Sequence, residues 1–314
     1  MHANGHQTHA PNAAEMISRF DRVRAFSERL CAPLVPEDFV IQSMPDVSPT
    51  KWHLAHISWF FETFILSEHY PDYHPFHSDF SYLFNSYYNT VGERHCRPKR
   101  GLVSRPTVDQ TFQYRRFVDQ HMRELLAEAD EAKLAEIEPL LEIGLNHEQQ
   151  HQELMVTDIK HVLTENPLRP VYRERKPVPH SEYQPLQWVE FDEGIFWIGH
   201  DGDGFAFDNE SPRHRQFIHP FKLASRLVTN GEYLEFMEDG GYQRFELWLS
   251  VGWRAVEENG WEAPFYWEKH DGQWMVMTLA GMRPVEENEP VCHLNYFEAD
   301  AFAQWAGARL PTEA

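Results

Sequence analysis

Cysteine is scarce in this chain. Cys31, Cys96 and Cys292 lie far apart and are odd in number, which supports neither a disulfide framework nor a cysteine-based metal site. Positive charge is short as well: 28 Lys and Arg stand against 49 Asp and Glu, a formal net charge of −21. Nucleic acid and anionic membrane surfaces both require clustered basic residues, so neither is expected as a partner. The local exception, "RHCRPKRGLVSR", suits an anionic ligand smaller than a polymer. Long apolar runs are missing too. No stretch reaches the roughly 18 residues of a membrane-spanning helix, and "MHANGHQTHAPNAAEM" contains no apolar core of a secretory signal. A reducing, cytoplasmic setting is the expectation.

What is present is a good supply of core and of histidine. Apolar residues make up 42% of 314 residues, enough for roughly two domains, and 19 histidines in an acidic chain invite a search for a metal site. Residues 1–14 are polar and read as a disordered tail. From Ala14 to Leu34, Ile17, Phe20, Val23 and Leu30 recur at helical spacing. A second helix begins near Ser48, a suitable N-cap, with Pro49 at the first helical position. Val108–Ala129 reads as a third, and "LAEIEPLLEIGLNHEQQHQELMVTDIKHVLTEN" contains a fourth. Residues 15–166 are therefore expected to form a four-helix bundle. Five prolines between Pro167 and Pro185 mark residues 167–187 as an extended linker. After Trp188 the texture changes to short strand-like runs, dense aromatics and Gly, Asp and Pro turns, with short helices near "TNGEYLEFMEDGG" and "YFEADAFAQWAGA". Residues 188–314 are read as a second, α+β domain.

The stretch "GLNHEQQHQELMVTDIKHVL" contains H-E-x-x-H. On a helix, His147 and His151 sit one turn apart on one face. Their stripe runs through Leu140, Ile143, Gln150, Leu154 and Asp158, so both imidazoles are expected to point into the bundle. Upstream, "WHLAHISWFF" offers His53 and His56 as a third ligand from a neighbouring helix, the way bundles build metal sites. One of those two is expected merely to pack. His161 is nearly three turns from His151, too far to share the ion, and is read as supporting or surface. A peptidase would need Glu148 aimed at a metal-bound water and a further ligand downstream. The glycine of the longer metzincin motif is replaced by Leu154, and the upstream histidines would be unexplained, so this reading is disfavoured. By ligand type alone, three histidines suit zinc as well as iron.

Three segments, "SPTKWHLAHISWFFETF", "FNSYYNTVGERH" and "LNHEQQHQELMVTDIKHVL", closely resemble the EgtB family of ergothioneine biosynthesis. The resemblance implies an N-terminal DinB-like four-helix bundle. It also implies a C-terminal C-type-lectin-like domain of the formylglycine-generating (sulfatase-modifying) kind, which "FKLASRLVTNGEYLEFM" and "EPVCHLNYFEADAFAQWAGARLPTEA" resemble. Members are non-haem Fe(II) enzymes that use O2 to join a thiol to C2 of the hercynine imidazole and oxidise the sulfur to a sulfoxide. The resemblance places the iron on His56, His147 and His151, demotes His53, and sets Gln150 beside hercynine. Tyr87 and Tyr88 resemble the tyrosines of the branch that takes cysteine directly, where a phenol serves the oxygen step; the other branch uses γ-glutamylcysteine. Arg97 and Arg100 best match arginines that clamp the carboxylate of the thiol substrate, with Arg94 and Arg105 left open.

Family chains continue beyond "LPTEA", so the second domain reads as apparently truncated. A C-terminal fragment is expected as a second chain, and homo-oligomerisation is left open. The competing readings are ovothiol-type histidine–cysteine coupling, selenoneine synthesis, and a non-catalytic DinB-like metal-binding module.

Overall fold

Asn12 caps the first helix of the computed structural model, which describes residues 12–86, 92–176, 183–202 and 204–314. Its side chain accepts from the backbone N–H groups of Ala14 and Glu15, and α1 follows over Ala13–Cys31. Every residue of α2 (Thr50–Phe61) is buried, which is why its sequence carries no polar face. Pro49, not Ser48, stands at its N-cap; the Ser48 N–H instead donates to Asp158 Oδ2 at 2.9 Å.

α2 runs on as a π-helical stretch, Glu62–Leu66, and a single turn, α3 (Ser67–His69). The wide turn accompanies a buried carboxylate: Glu62 accepts from Tyr73 (2.7 Å), Tyr114 (2.5 Å) and the Phe76 N–H (3.0 Å). The short helix α4 (Phe80–Phe84) follows, then a 3-10 stretch over Arg97–Leu102. α5 (Val108–Glu128) starts at a capping box of Thr107 and Gln110. α6 (Glu131–Glu165) starts at Asp130, earlier than the periodicity suggested, and runs through Pro139. Phe20, Trp59, Phe61, Ile65, Tyr114, Val118, Met122, Ile137 and Leu141 fill the common core.

α6 corrects one expectation. Its buried face runs through Leu141, Gly144, Leu145, Glu148, Gln152 and Met155, while Ile143 and Leu154 of the predicted stripe are 45% and 40% exposed. The buried face is turned by about one residue from the predicted stripe, with His151 common to both; the buried Glu148 and Gln152 are polar and give no apolar signal. Gly144 shows how close the packing is: a Cβ there would lie 2.5 Å from Phe61 Cε1. His161, read as supporting or surface, is buried, with Nδ1 2.6 Å from Ser43 Oγ.

The chain divides into two units, Met1–Arg173 and Glu174–Ala314. The second is α+β, with three small antiparallel sheets among its described residues. β1 (Trp188–Phe191) pairs with β4 (Phe221–Ala224), and β2 (Gly194–Ile198) with β3 (His214–Ile218). β5 (Trp267–His270), β6 (Gln273–Thr278) and β7 (Gly281–Pro284) form a meander. α7 (Asn230–Glu238) and α9 (Tyr296–Trp305) match the two expected short helices, each with a capping box.

A further helix, α8 (Ser250–Asn259), lies within the tryptophan-rich stretch and was not among the expected elements. Its buried Gly252 and Val256 are at helical spacing, a signal hidden by the tryptophans around it. Tyr233, Phe236, Tyr242, Trp248, Val256 and Ala301 make this unit's core. No helix among the described residues is long and apolar enough to cross a membrane.

Candidate metal centre

α2 and α6 bring His56, His147 and His151 together, with one ligating atom of each lying within 4.8 Å of the others. His56 is held from two sides. Trp52 stacks on its ring at 4.6 Å and 12°, and Trp59 at 5.4 Å and 17°. Its Nδ1 lies 2.5 Å from the carbonyl oxygen of Phe84. A carbonyl only accepts, so Nδ1 carries the proton and Nε2 presents a lone pair. That Nε2 faces His147 Nε2 at 3.2 Å. His147 Nδ1 is buried without a hydrogen-bond partner among the described residues.

Burial disfavours the charged form of all three imidazoles. Burial lowers His147 to about 4. Burial also depresses His56, helped by His147, and His151, helped by His56. Neutral imidazoles are the form a metal needs. At metal–nitrogen distances of about 2.0–2.1 Å, two imidazoles on one ion stand roughly 3 Å apart at nitrogen, close to the His56–His147 separation. A proton on His147 Nε2 would let the pair hydrogen-bond to each other; with that proton on Nδ1 instead, both Nε2 lone pairs turn to one point, the arrangement a cation satisfies. The residues fit a metal ion, and His56, His147 and His151 could hold one.

Glu148 takes no part in this group. It is wholly buried and turned towards α1 and α5. Oε1 accepts from Ser27 Oγ (2.6 Å) and Arg115 Nη2 (2.7 Å), and Oε2 from Arg24 Nη1 (3.0 Å). Burial would raise its pKa, but Arg115 and then Arg24 overcome this and hold it at about 2. A carboxylate locked between two guanidiniums is no general base for a metal-bound water. The peptidase reading of H-E-x-x-H therefore loses its central residue.

Of the candidate substrate residues, Arg100 is buried beside the histidines. Its guanidinium carbon lies 3.4 Å from the centroid of Trp52, the indole that stacks on His56. Its two terminal nitrogens donate to Ser48 Oγ (2.9 Å) and Ser86 Oγ (3.2 Å). Arg97 is exposed and donates to the Asp46 carbonyl at 2.6 Å. Arg94 donates to the Ser86 carbonyl at 2.6 Å, and Arg105 is exposed. Gln150 is exposed on α6, one residue before His151. Tyr87 and Tyr88 lie outside the described residues.

His53, offered by the sequence as a ligand and then demoted, and Asp158, placed on the histidine stripe without a role, meet beside the site. His53 is buried on α2, with Nδ1 2.8 Å from His151 Nδ1 and Nε2 3.0 Å from Asp158 Oδ2. The available signal was spacing alone: His53 precedes His56 by three residues, a neighbouring position on a helix face, and Asp158 follows His151 by seven, two turns along the same face.

Residues 19–155 match the DinB superfamily, and residues 174–314 match the sulfatase-modifying factor enzyme 1-like domain. The first unit is thus a DinB-like helical domain and the second is of the sulfatase-modifying-factor kind. The chain is 34% identical over 169 residues to a hercynine oxygenase of Mycobacterium tuberculosis, covering 54% of this chain and 39% of the relative. It is 37% identical over 175 residues to the hercynine oxygenase of Mycolicibacterium smegmatis, with the same coverage. To ergothioneine biosynthesis protein 1 of Schizosaccharomyces pombe it is 30% identical over 111 residues, 35% of this chain and 12% of the relative. The chain thus matches well under half the length of these curated relatives.

Proposed function

We propose that this chain carries the metal-binding part of an oxygen-dependent sulfoxide synthase acting on hercynine. The single observation that carries the reading is the convergence of three histidines on one point while the H-E-x-x-H glutamate is locked elsewhere. The hercynine oxygenase relatives support the substrate, and the DinB-like and sulfatase-modifying-factor-like domains support the family.

The proposed ion is Fe(II), held by His56, His147 and His151. It would supply a binding point for the thiolate and the means to use O2. Cysteine is the proposed thiol. The reaction balances as thiol, hercynine and O2 giving one sulfoxide and one water. Forming the C–S bond releases two electrons and S-oxygenation two more, and O2 takes up all four. Within that scheme this chain's residues bind, orient and move protons. Arg100, with Arg97 as second candidate, would pair with the cysteine carboxylate; Arg fits a carboxylate through two parallel N–H donors. Gln150 would hydrogen-bond hercynine. Tyr87 or Tyr88 would donate a proton during the oxygen step.

The test is oxygen uptake by the Fe(II)-loaded full chain, with product mass measured. Hercynine plus cysteine should consume one O2 per sulfoxide formed, and histidine plus cysteine should not. Preference for histidine would turn the reading to ovothiol-type coupling. Failure of the chain to take up Fe(II) or any other divalent metal would overturn it altogether.

A further inference from the structure

We infer that His53 and Asp158 form a positioning relay that fixes which nitrogen His151 offers to the metal. The inference rests on the metal reading above and assigns residues that the ligand set does not include.

The proton assignment follows from chemistry at each end. Asp158 Oδ2 already accepts the Ser48 backbone N–H at 2.9 Å, and a carboxylate oxygen accepts again from His53 Nε2 at 3.0 Å. His53 Nε2 therefore donates to Asp158, and the tautomer we infer for His53 leaves its Nδ1 as an acceptor. The contact at 2.8 Å between His53 Nδ1 and His151 Nδ1 needs one donor, so His151 Nδ1 supplies the proton. His151 Nε2 is left with its lone pair.

Phe84 does the same for His56 through its carbonyl. The relay thus runs backbone amide to carboxylate to imidazole to imidazole, and joins both helices of the site. Metal-bound histidines commonly have such outer partners, whose loss lowers metal affinity by about 10- to 100-fold. His53 is also locked by packing: it is 2% exposed, with Trp52 edge-on at 5.7 Å. The ring cannot turn away without opening the core.

The experiment uses the full chain with Zn(II) as a diamagnetic probe. Long-range proton–nitrogen spectra of the metal-free protein at neutral pH should show His151 protonated at Nδ1 and His53 at Nε2. Chelator competition should show His53→Leu and Asp158→Ala binding Zn(II) 10- to 100-fold more weakly than the parent chain. His53→Asn places an amide oxygen near the position of Nδ1 and should recover most of that loss, which a merely space-filling role would not predict. His56→Ala serves as the control and should bind no Zn(II) at the site.

Two results would overturn the relay: a His151 ring protonated at Nε2, or a folded His53→Leu chain that binds Zn(II) within twofold of the parent. Should His53→Leu fail to fold, the spectrum of the parent chain decides alone. Retained Zn(II) binding by His56→Ala would instead sink the metal reading itself.

Discussion

Arg115 Nη2 donates to Glu148 Oε1 at 2.7 Å, with both side chains wholly excluded from water. Arg24 closes the other side of the same carboxylate and also reaches Asp119 at 2.6 Å. The residue that would make a peptidase of H-E-x-x-H is therefore a core strut joining α1, α5 and α6. The face of α6 next to it is left to the histidines.

Glu148→Gln should therefore cost stability, not metal. Removing one partner of a buried ion network leaves uncompensated charge, at a cost of about 3–5 kcal/mol. Denaturant unfolding should report that loss, while the folded fraction binds metal with unchanged stoichiometry. Unchanged stability together with lost metal would contradict the placement.

His56→Ala and His147→Ala should each abolish stoichiometric metal uptake, read by elemental analysis after anaerobic loading with Fe(II). His161→Ala should leave uptake intact, since its Nδ1 contacts Ser43. Equal loss from His161→Ala would show that uptake reports folding and not ligation.

Acid should weaken the metal-free protein in two steps. His147 is held at about 4 in the fold, against 6.5 as its ordinary value, chiefly by burial. The unfolded chain binds the extra proton first, so stability from this group is complete above about 6.5 and is lost as pH falls towards 4. His56 and His151 are depressed in the same direction. Glu148 acts lower: its pKa is about 2 in the fold against 4.5, so its contribution is present above 4.5 and lost as pH falls towards 2. Denaturant midpoints measured in chelator at pH 7.5, 6 and 5 should fall in that order; a midpoint higher at pH 5 than at pH 7.5 reverses the sign and refutes the account.

Gly144→Ala should destabilise the bundle by about 1–3 kcal/mol, the usual cost of overpacking a core. The new methyl would meet Phe61 at 2.5 Å, one turn before His147. Thermal unfolding checks this, and an unchanged midpoint would mean that α2 and α6 separate more readily than their packing implies.

If the proposed activity holds, Phe in place of Tyr87 or Tyr88 should divert oxygen towards the thiol, giving sulfinic acid at the expense of sulfoxide. The product ratio by mass spectrometry decides. Two single variants that keep the parent ratio would leave both tyrosines without a chemical role.

Much of this arrangement is legible in the residue order. The 3.6-residue period locates the long helices, the i, i+4 pair puts His147 and His151 one turn apart, and the proline-rich stretch from Pro167 marks the change from helices to short strands. Periodicity stops short of phase. Adjacent helix positions differ by about 100°, so His147 and Glu148 were both near the inner face, and the pattern alone could not say which faced the core. Arg24 and Arg115 decided that by reaching Glu148 from α1 and α5. The same limit applied to "WHLAH": both histidines are buried, and only the approach of α6 at Gly144 sets His56 against the pair and His53 behind it. Helix spacing is a local property written in consecutive residues, whereas the partner of a buried charge or imidazole comes from another helix and exists only once the bundle has closed.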